Sequence, residues 1–195
     1  MSIRRVTWIG ILVSLALMMH GVERLLPIPQ LAPGVKLGLA NIVTLVALSI
    51  LPRGDAYLIV IIRSTLGALL GGGASAMLFS LAGGTFSFLA MAFLMQYRET
   101  LFSLPGISIA GAFLHNVGQL LMAALIVETF NIAIYFPVLV ASALVTGFFT
   151  GIVSDMIITA ITHARLQPMG LSDHTPRPRN AKPLRHIESH ETTRL

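Results

Sequence analysis

Long apolar segments divide this sequence, and their length restricts the fold more than any other feature. A transmembrane helix needs about 20 predominantly apolar residues. Segments that approach this length lie near residues 6–26, 36–52, 56–73, 76–96, 106–127 and 137–163. They are continuously apolar and lack the alternating pattern of a transmembrane β-strand. The sequence therefore predicts an all-α integral membrane protein with about six transmembrane helices.

The composition supports a membrane environment and excludes several other classes of protein. Hydrophobic residues make up 55% of the chain and charged residues only 11%, whereas an ordinary soluble domain carries about 25% charged residues. The net charge of +5 does not indicate nucleic-acid binding, because no stripe of Lys and Arg alternates with aromatic residues. The absence of cysteine excludes disulfides and thiol catalysis.

The distribution of basic residues predicts the orientation of the helices. Arg4 and Arg5 precede the first apolar segment, which is too long for a signal peptide and has no clear cleavage site after it. Because cytoplasmic loops carry an excess of Lys and Arg, six spans place both termini in the cytoplasm of a bacterial cell, with the bundle in the inner membrane. The predicted outer side then holds only Arg24 and Lys36.

The last part of the chain differs from the rest in composition. Residues 168–195 contain four prolines, several arginines and three histidines, with almost no apolar periodicity. Such a composition buries too little apolar surface to order itself. We therefore expect a transmembrane domain over residues 1–167 and a disordered basic cytoplasmic tail. Metal capture by the histidines or attraction to anionic lipid is the functional alternative for this tail.

Two charged residues stand inside apolar segments, where charge is costly. Arg63 lies in the third segment and Asp155 in the sixth, at similar estimated depths from the same face. One interpretation is a buried ion pair that holds the two helices together. The other is that Arg63 binds an anionic group, and the two interpretations are compatible.

The fifth segment carries a group of uncharged polar residues at its middle. His115 and Gln119 are four residues apart and share one helix face, and Asn116 lies on a neighbouring stripe. Such residues either form hydrogen bonds between helices or line a cavity, and three together favour a cavity. No second histidine or carboxylate lies at the spacing of a metal site.

The predicted outer loop between the first two segments has features of an anion site. Its prolines restrict the backbone, and Lys36 and Asn41 lie where the second helix begins. The free N–H groups at a helix N-terminus suit an anion. A tight connector with a lysine reaching toward water is the alternative. His20, Glu23 and Arg24 are expected at the solvated end of the first helix.

Motifs of several enzyme classes are missing from the sequence. No phosphate-binding P-loop is present, so the chain is not expected to hydrolyse ATP itself. It also lacks the aspartate pair that holds magnesium and a diphosphate in prenyl-chain synthases, and no nucleophile stands beside a histidine in an evident pair. The sequence therefore predicts a protein that is not an enzyme and needs no cofactor.

Several stretches resemble a known family. PGVKLGLANIVTL (33–45), LPRGDAYLIVIIRSTLGALLGG (51–72) and GAFLHNVGQ (111–119) are similar to the Gx transporter family, whose members are often labelled heptaprenyl diphosphate synthase component I. These resemble the substrate-binding S-components of energy-coupling-factor transporters. The resemblance covers residues 6–165. Gly10 and Ser14 stand where S-components usually dock through alanines four apart.

The resemblance implies a fold and a function. The expected fold is a six-helix S-component-like bundle, with a pocket near the outer face beneath a lid loop. The expected partners are membrane lipid, an energy-coupling scaffold subunit and ATPases, and the expected function is uptake of a small anionic vitamin-like or isoprenoid-like metabolite. The synthase label implies instead a non-catalytic membrane partner of heptaprenyl diphosphate synthase. The residues predicted to contact the substrate are Lys36, Asn41, Arg63, His115, Asn116 and Gln119.

Overall fold

The computed structural model describes residues 3–25, 38–70, 73–98 and 100–164. The described chain forms the α-helices α1 (Ile3–Leu25), α2 (Ala40–Ile50), α3 (Arg53–Leu69), α4 (Gly73–Leu94), α5 (Leu104–Val127) and α6 (Phe136–His163). Short 3-10 turns lie at Met95–Tyr97, after α4, and at Phe130–Tyr135, before α6. The predicted all-α fold is confirmed, and the described residues contain six α-helices. The predicted tail, residues 168–195, lies outside the described residues.

Helices α3 to α6 pack side by side in antiparallel order. Ser80 on α4 donates a hydrogen bond to Ser64 on α3 over 3.1 Å. Helices α5 and α6 approach each other closely, because a Cβ atom at Gly147 on α6 would lie only 2.6 Å from the Cα atom of Ile109 on α5. Small residues at such positions let helix backbones approach closely, as is common in membrane bundles.

Helix α1 runs parallel to α3. The Arg5 guanidinium donates to the Asp55 carboxylate near the start of both helices. Toward their other ends, a Cβ atom at Gly67 would lie 3.3 Å from Cδ2 of His20. Together with the antiparallel order of α3 to α6, these contacts place the starts of α1, α3 and α5 at one end of the bundle.

Helix α2 lies inside the bundle. Ten of its 11 residues are buried, and it contacts each of the other five helices. A helix that is apolar on all sides is expected to be enclosed, and the ANIVTLVALSI sequence of α2 meets this condition. The hydrophobic core is therefore built around α2.

Within the part of the chain that the structure describes, four helical segments are long and apolar enough to cross a membrane, namely Ile3–Glu23, Gly73–Tyr97, Leu104–Val127 and Asn131–His163. Large apolar side chains cover their outer faces, including Leu89, which is 59% exposed, and Phe149, which is 63% exposed. Lipid is the solvent that suits such a surface. Helix α2 is shorter than the predicted span, since its 11 residues give a length of only about 17 Å.

Most of the arginine residues in the described ranges lie at one end of the bundle. Arg4, Arg5, Arg53 and Arg98 lie at or near the starts of α1 and α3 and the end of α4, and we call this the arginine end. The opposite end holds Glu23 and the start of α2. Residues 38–41 of the predicted lid loop lie at this opposite end, and its residues 26–37 lie outside the described residues.

Candidate functional site

Two adjacent glycines on α4 mark the place where polar side chains from α3 and α5 approach the α4 backbone. A Cβ atom at Gly84 would lie 3.3 Å from Nη2 of Arg63. A Cβ atom at Gly83 would lie 2.8 Å from Cγ of Gln119 and 3.0 Å from Nε2 of His115. Because the two glycines lack side chains, one turn of α4 accommodates polar groups from both neighbouring helices.

Arg63 is the buried cation of this region, with 7% of its surface exposed. Its Nε and Nη2 groups are buried and have no hydrogen-bond acceptor among the described residues. Leaving a buried donor without an acceptor costs about 1–3 kcal/mol, and more when the group is charged. A membrane helix bundle would not retain this arrangement without a compensating role, so Arg63 is the first candidate for ligand contact.

Glu23 lies in the electrostatic neighbourhood of Arg63, which the sequence did not predict. Its carboxylate is close enough to interact electrostatically with the Arg63 guanidinium. Its Oε1 atom also accepts a hydrogen bond of 2.7 Å from the backbone N–H of Leu39, just before α2. Glu23 is partly exposed near the end of α1, but its proximity to Arg63 was not expected from the sequence. The need of a buried arginine for a nearby counter-charge was the signal that could have identified it.

Asp155 does not pair with Arg63, so the predicted ion pair between the third and sixth segments is wrong. Asp155 is exposed on α6 and lies one turn beyond Gly151. A Cβ atom at Gly151 would be 2.5 Å from the Cα atom of Pro105, at the start of α5. Asp155 therefore lies toward the arginine end, whereas Arg63 lies nearer the opposite end.

Asn41 occupies the first turn of α2 and is 2% exposed. Its Oδ1 atom accepts a hydrogen bond of 3.4 Å from Ser87 on α4. Its Nδ2 group has no hydrogen-bond acceptor in the described part of the chain. Gly38 adopts a positive φ of 71°, and a Cβ atom there would lie 3.1 Å from Nδ2 of Asn41. The turn before α2 thus fixes this amide against α4.

His115 and Gln119 share the face of α5 that packs on Gly83, so the prediction that they lie together is confirmed. They are 5% and 4% exposed. The Nε2 group of Gln119 is buried and has no acceptor among the residues that the structure describes. Gln119 therefore joins Arg63 and Asn41 as a side chain with an N–H group available for a ligand.

Asn116 faces another direction, although it is next to His115 in sequence. Its Nδ2 group donates a hydrogen bond of 3.0 Å to the backbone carbonyl of Leu139 on α6. Because this amide is bonded across the α5–α6 interface, it acts as a link between helices. Substrate contact by Asn116 remains a prediction, and the structure separates it from the face of Gln119.

Three side chains form what we call the donor cluster: Asn41, Arg63 and Gln119. Each contacts or borders α4 between Gly83 and Ser87, and each carries a buried N–H group without an acceptor among the described residues. An arrangement of donors suits a ligand that offers oxygen acceptors. Within the described ranges, no three His, Asp or Glu residues come together as a metal site. Lys36, the remaining predicted contact, lies outside the described residues.

Comparison with protein families assigns the chain to one of them. The model of heptaprenyl diphosphate synthase component I matches residues 12–157, a range that runs from α1 to the last turns of α6. The chain belongs to this family. The matched range contains the whole donor cluster. Searches of curated proteins and of solved structures gave no match.

Family membership and the apolar helices together identify the chain as a membrane component. The description of the family refers to one component of a synthase and confirms the label that accompanied the sequence resemblance. It does not name a ligand for the donor cluster. The geometry of the donor cluster is therefore the guide to the kind of ligand that it binds.

Proposed function

We propose that the chain is an S-component-like membrane subunit that binds a small anionic metabolite for uptake. The observation that carries the proposal is Arg63, a buried cation in an apolar bundle with two N–H groups that have no acceptor among the described residues. Charged residues buried inside a membrane protein usually face a binding site or a polar pathway. Vitamin-like and isoprenoid-like metabolites are the substrate classes that the sequence resemblance implies.

The position of Arg63 along α3 favours capture from outside the cell. Arg63 lies ten residues after the start of α3 and six before its end, which correspond to about 15 Å and about 9 Å along the helix axis. Excess arginine favours the cytoplasmic side, so the proposal places the arginine end and both termini in the bacterial cytoplasm. The donor cluster then lies toward the outer face, and Lys36 would lie above it.

The energy for transport would come from partners of this chain. The sequence has no P-loop for ATP, and the proposal therefore includes an energy-coupling scaffold subunit and ATPases. The bundle would bind the substrate and present it to these partners, while the surrounding lipid covers its apolar faces. In this proposal the chain has no catalytic activity of its own.

Identification of a co-purified ligand tests the proposal. We expect native mass spectrometry of the detergent-purified full chain to show a bound anionic metabolite. Arg63→Ala should lose it, whereas Arg98→Ala, which removes an arginine from the arginine end of the bundle, should retain it. A wild-type chain that is always ligand-free, together with an Arg63→Ala variant altered only in stability, would contradict the proposal.

A second function is favoured by the description of the family itself. The chain would then be a non-catalytic membrane component that associates with heptaprenyl diphosphate synthase and supports isoprenoid quinone synthesis. This alternative predicts that a soluble prenyltransferase co-purifies stably with the tagged chain. Recovery of a scaffold subunit and ATPases without a prenyltransferase would favour the uptake function instead.

A further inference from the structure

The two unpaired N–H groups of Arg63 lie on the same side of its guanidinium. Nε and Nη2 form the edge whose N–H bonds point in nearly the same direction, and both lack an acceptor among the described residues. Such an edge matches the two oxygens of a carboxylate or a phosphoryl group, which it binds through two parallel hydrogen bonds.

The packing around Arg63 fixes the position of this edge. Gly84 allows Nη2 to approach α4, where a Cβ atom would lie only 3.3 Å from it. The neighbouring Ser64 is held by the hydroxyl of Ser80. The Glu23 carboxylate interacts with Arg63 electrostatically but does not bond to this edge, since neither N–H has a described acceptor.

We propose that Arg63 binds a carboxylate or phosphoryl group of the ligand side-on, through Nε and Nη2 together. This inference rests on the proposed binding function and specifies the chemical group that the site recognises. The remaining members of the donor cluster support it, because Asn41 and Gln119 also offer buried N–H groups. A ligand made of donors or of positive charge would leave all of these groups unpaired in an apolar surrounding.

Simple oxyanions provide the first test. The detergent-purified full chain is titrated with sodium phosphate and with sodium acetate, against sodium chloride at matched ionic strength, and thermal unfolding is followed. We expect at least one oxyanion to raise the midpoint of unfolding above that in chloride, in a concentration-dependent way. Equal midpoints in all three salts would exclude a soluble oxyanion, and they would overturn the proposal if phosphatidic acid also gave no stabilisation.

Arg63→Lys separates a two-point contact from simple charge attraction. Lysine keeps the positive charge but cannot present two parallel N–H groups. We expect this variant to bind the effective oxyanion at least ten-fold more weakly, whereas Arg98→Lys should bind it like the wild type. Unchanged binding by Arg63→Lys would overturn the side-on contact.

A spectroscopic measurement covers the case in which Arg63→Lys does not fold. In the ¹⁵N-labelled wild-type chain, the Nε–H signal of Arg63 should move during the same titration and saturate with it. An Nε–H signal that stays fixed while the protein is stabilised would overturn the proposal.

The same chemistry is present in a soluble metabolite and in a lipid headgroup, and micelles of defined composition distinguish the two. Arg63-dependent stabilisation by phosphatidic acid but not by inorganic phosphate or acetate supports a lipid-borne oxyanion. Stabilisation by phosphate or acetate supports a soluble one. If phosphatidic acid acts no differently from diacylglycerol, and phosphate and acetate no differently from chloride, the inference is overturned.

The inference and the proposed uptake function can fail separately. If a prenyltransferase co-purifies and no metabolite does, while phosphate still binds through Arg63, the uptake function fails and the oxyanion site stands. If a co-purified metabolite is retained at full occupancy by Arg63→Lys, the side-on oxyanion contact fails and the binding function stands.

Discussion

Arg63 and Asn116 are both polar and buried in the middle of apolar helices, yet their surroundings give them different roles. Asn116 donates to the carbonyl of Leu139, whereas two N–H groups of Arg63 have no acceptor among the described residues. Burial alone therefore does not distinguish a binding residue from a link between helices. What distinguishes them is whether the fold already supplies the partner.

The role of Asn116 leads to the first prediction. Asn116→Ala removes one hydrogen bond between α5 and α6, and we expect a loss of about 1 kcal/mol in stability with oxyanion binding unchanged. Thermal unfolding and phosphate titration in detergent measure the two effects. A variant of normal stability that no longer binds phosphate would show that Asn116 belongs to the site.

Glu23 leads to the second prediction, which concerns charge. Glu23→Gln keeps an oxygen that accepts from the Leu39 N–H but removes the negative charge near Arg63. A carboxylate beside the site repels an incoming anion, so we expect phosphate to bind several-fold more tightly, corresponding to about 1 kcal/mol. Glu128→Gln, at the end of α5, is the matched control and should leave affinity unchanged. Weaker binding by Glu23→Gln would contradict this argument.

At the scale of single residues, the sequence predicted which residues share a helix face, but it did not predict which residues of other helices lie next to them. The spacing of His115 and Gln119 placed both on one face of α5, because a helix has a fixed period. The pairing of Arg63 with Asp155 was wrong because the sequence placed the two residues at similar depths, whereas Asp155 lies exposed toward the arginine end and Arg63 lies buried nearer the opposite end. Glu23 and Leu39 lie 16 residues apart, on either side of the connection between α1 and α2. No local sequence pattern predicts a contact of this kind.

At the scale of secondary-structure elements, helix α2 shows that hydropathy alone cannot distinguish a helix that faces lipid from one that is buried in the protein core. Its apolar sequence predicted a membrane span from residue 36, whereas the helix begins at Ala40 and is buried on nearly all sides. Lipid and a protein core select the same residue types, so composition identified an apolar helix without identifying its surroundings. Its contacts with all the other helices required the three-dimensional structure.

The close approach of α5 and α6 yields a prediction about an element interface. A Cβ atom at Gly147 would lie 2.6 Å from the Cα atom of Ile109, and backbone cannot move aside as a flexible side chain can. We expect Gly147→Ala to destabilise the bundle by about 1–3 kcal/mol, measured by thermal unfolding in detergent.

Gly10→Ala is the control for this interface, because a Cβ atom placed there would have no described atom within 4 Å beyond the neighbouring backbone of its own helix. We expect this variant to unfold at the wild-type temperature or slightly above it, since alanine favours the helix over glycine. If Gly147→Ala behaved in the same way, the α5–α6 interface would be looser than its contacts indicate.

For the whole molecule, the sequence predicted the number and order of helices because each apolar segment ends at Pro, Gly or charged residues. The antiparallel packing of α3 to α6 and the parallel packing of α1 and α3 agree with a chain that alternates in direction. Which end faces the cytoplasm is a separate question. The coordinates define two ends, and the excess of arginine at one of them is the physical argument for its orientation.

The absence of cysteine from the sequence makes that orientation directly measurable. Thr100→Cys lies in the connection between α4 and α5, at the arginine end, and Asn131→Cys lies in the connection between α5 and α6, at the opposite end. Both positions are exposed, so a maleimide reagent that does not cross membranes can reach either thiol from its own side.

In intact cells with a permeable outer layer, we expect Asn131→Cys to react at once and Thr100→Cys to react only after the inner membrane is opened. The unsubstituted chain should remain unlabelled. The reverse pattern would place the donor cluster toward the cytoplasm, and capture of a substrate from outside the cell would then be wrong.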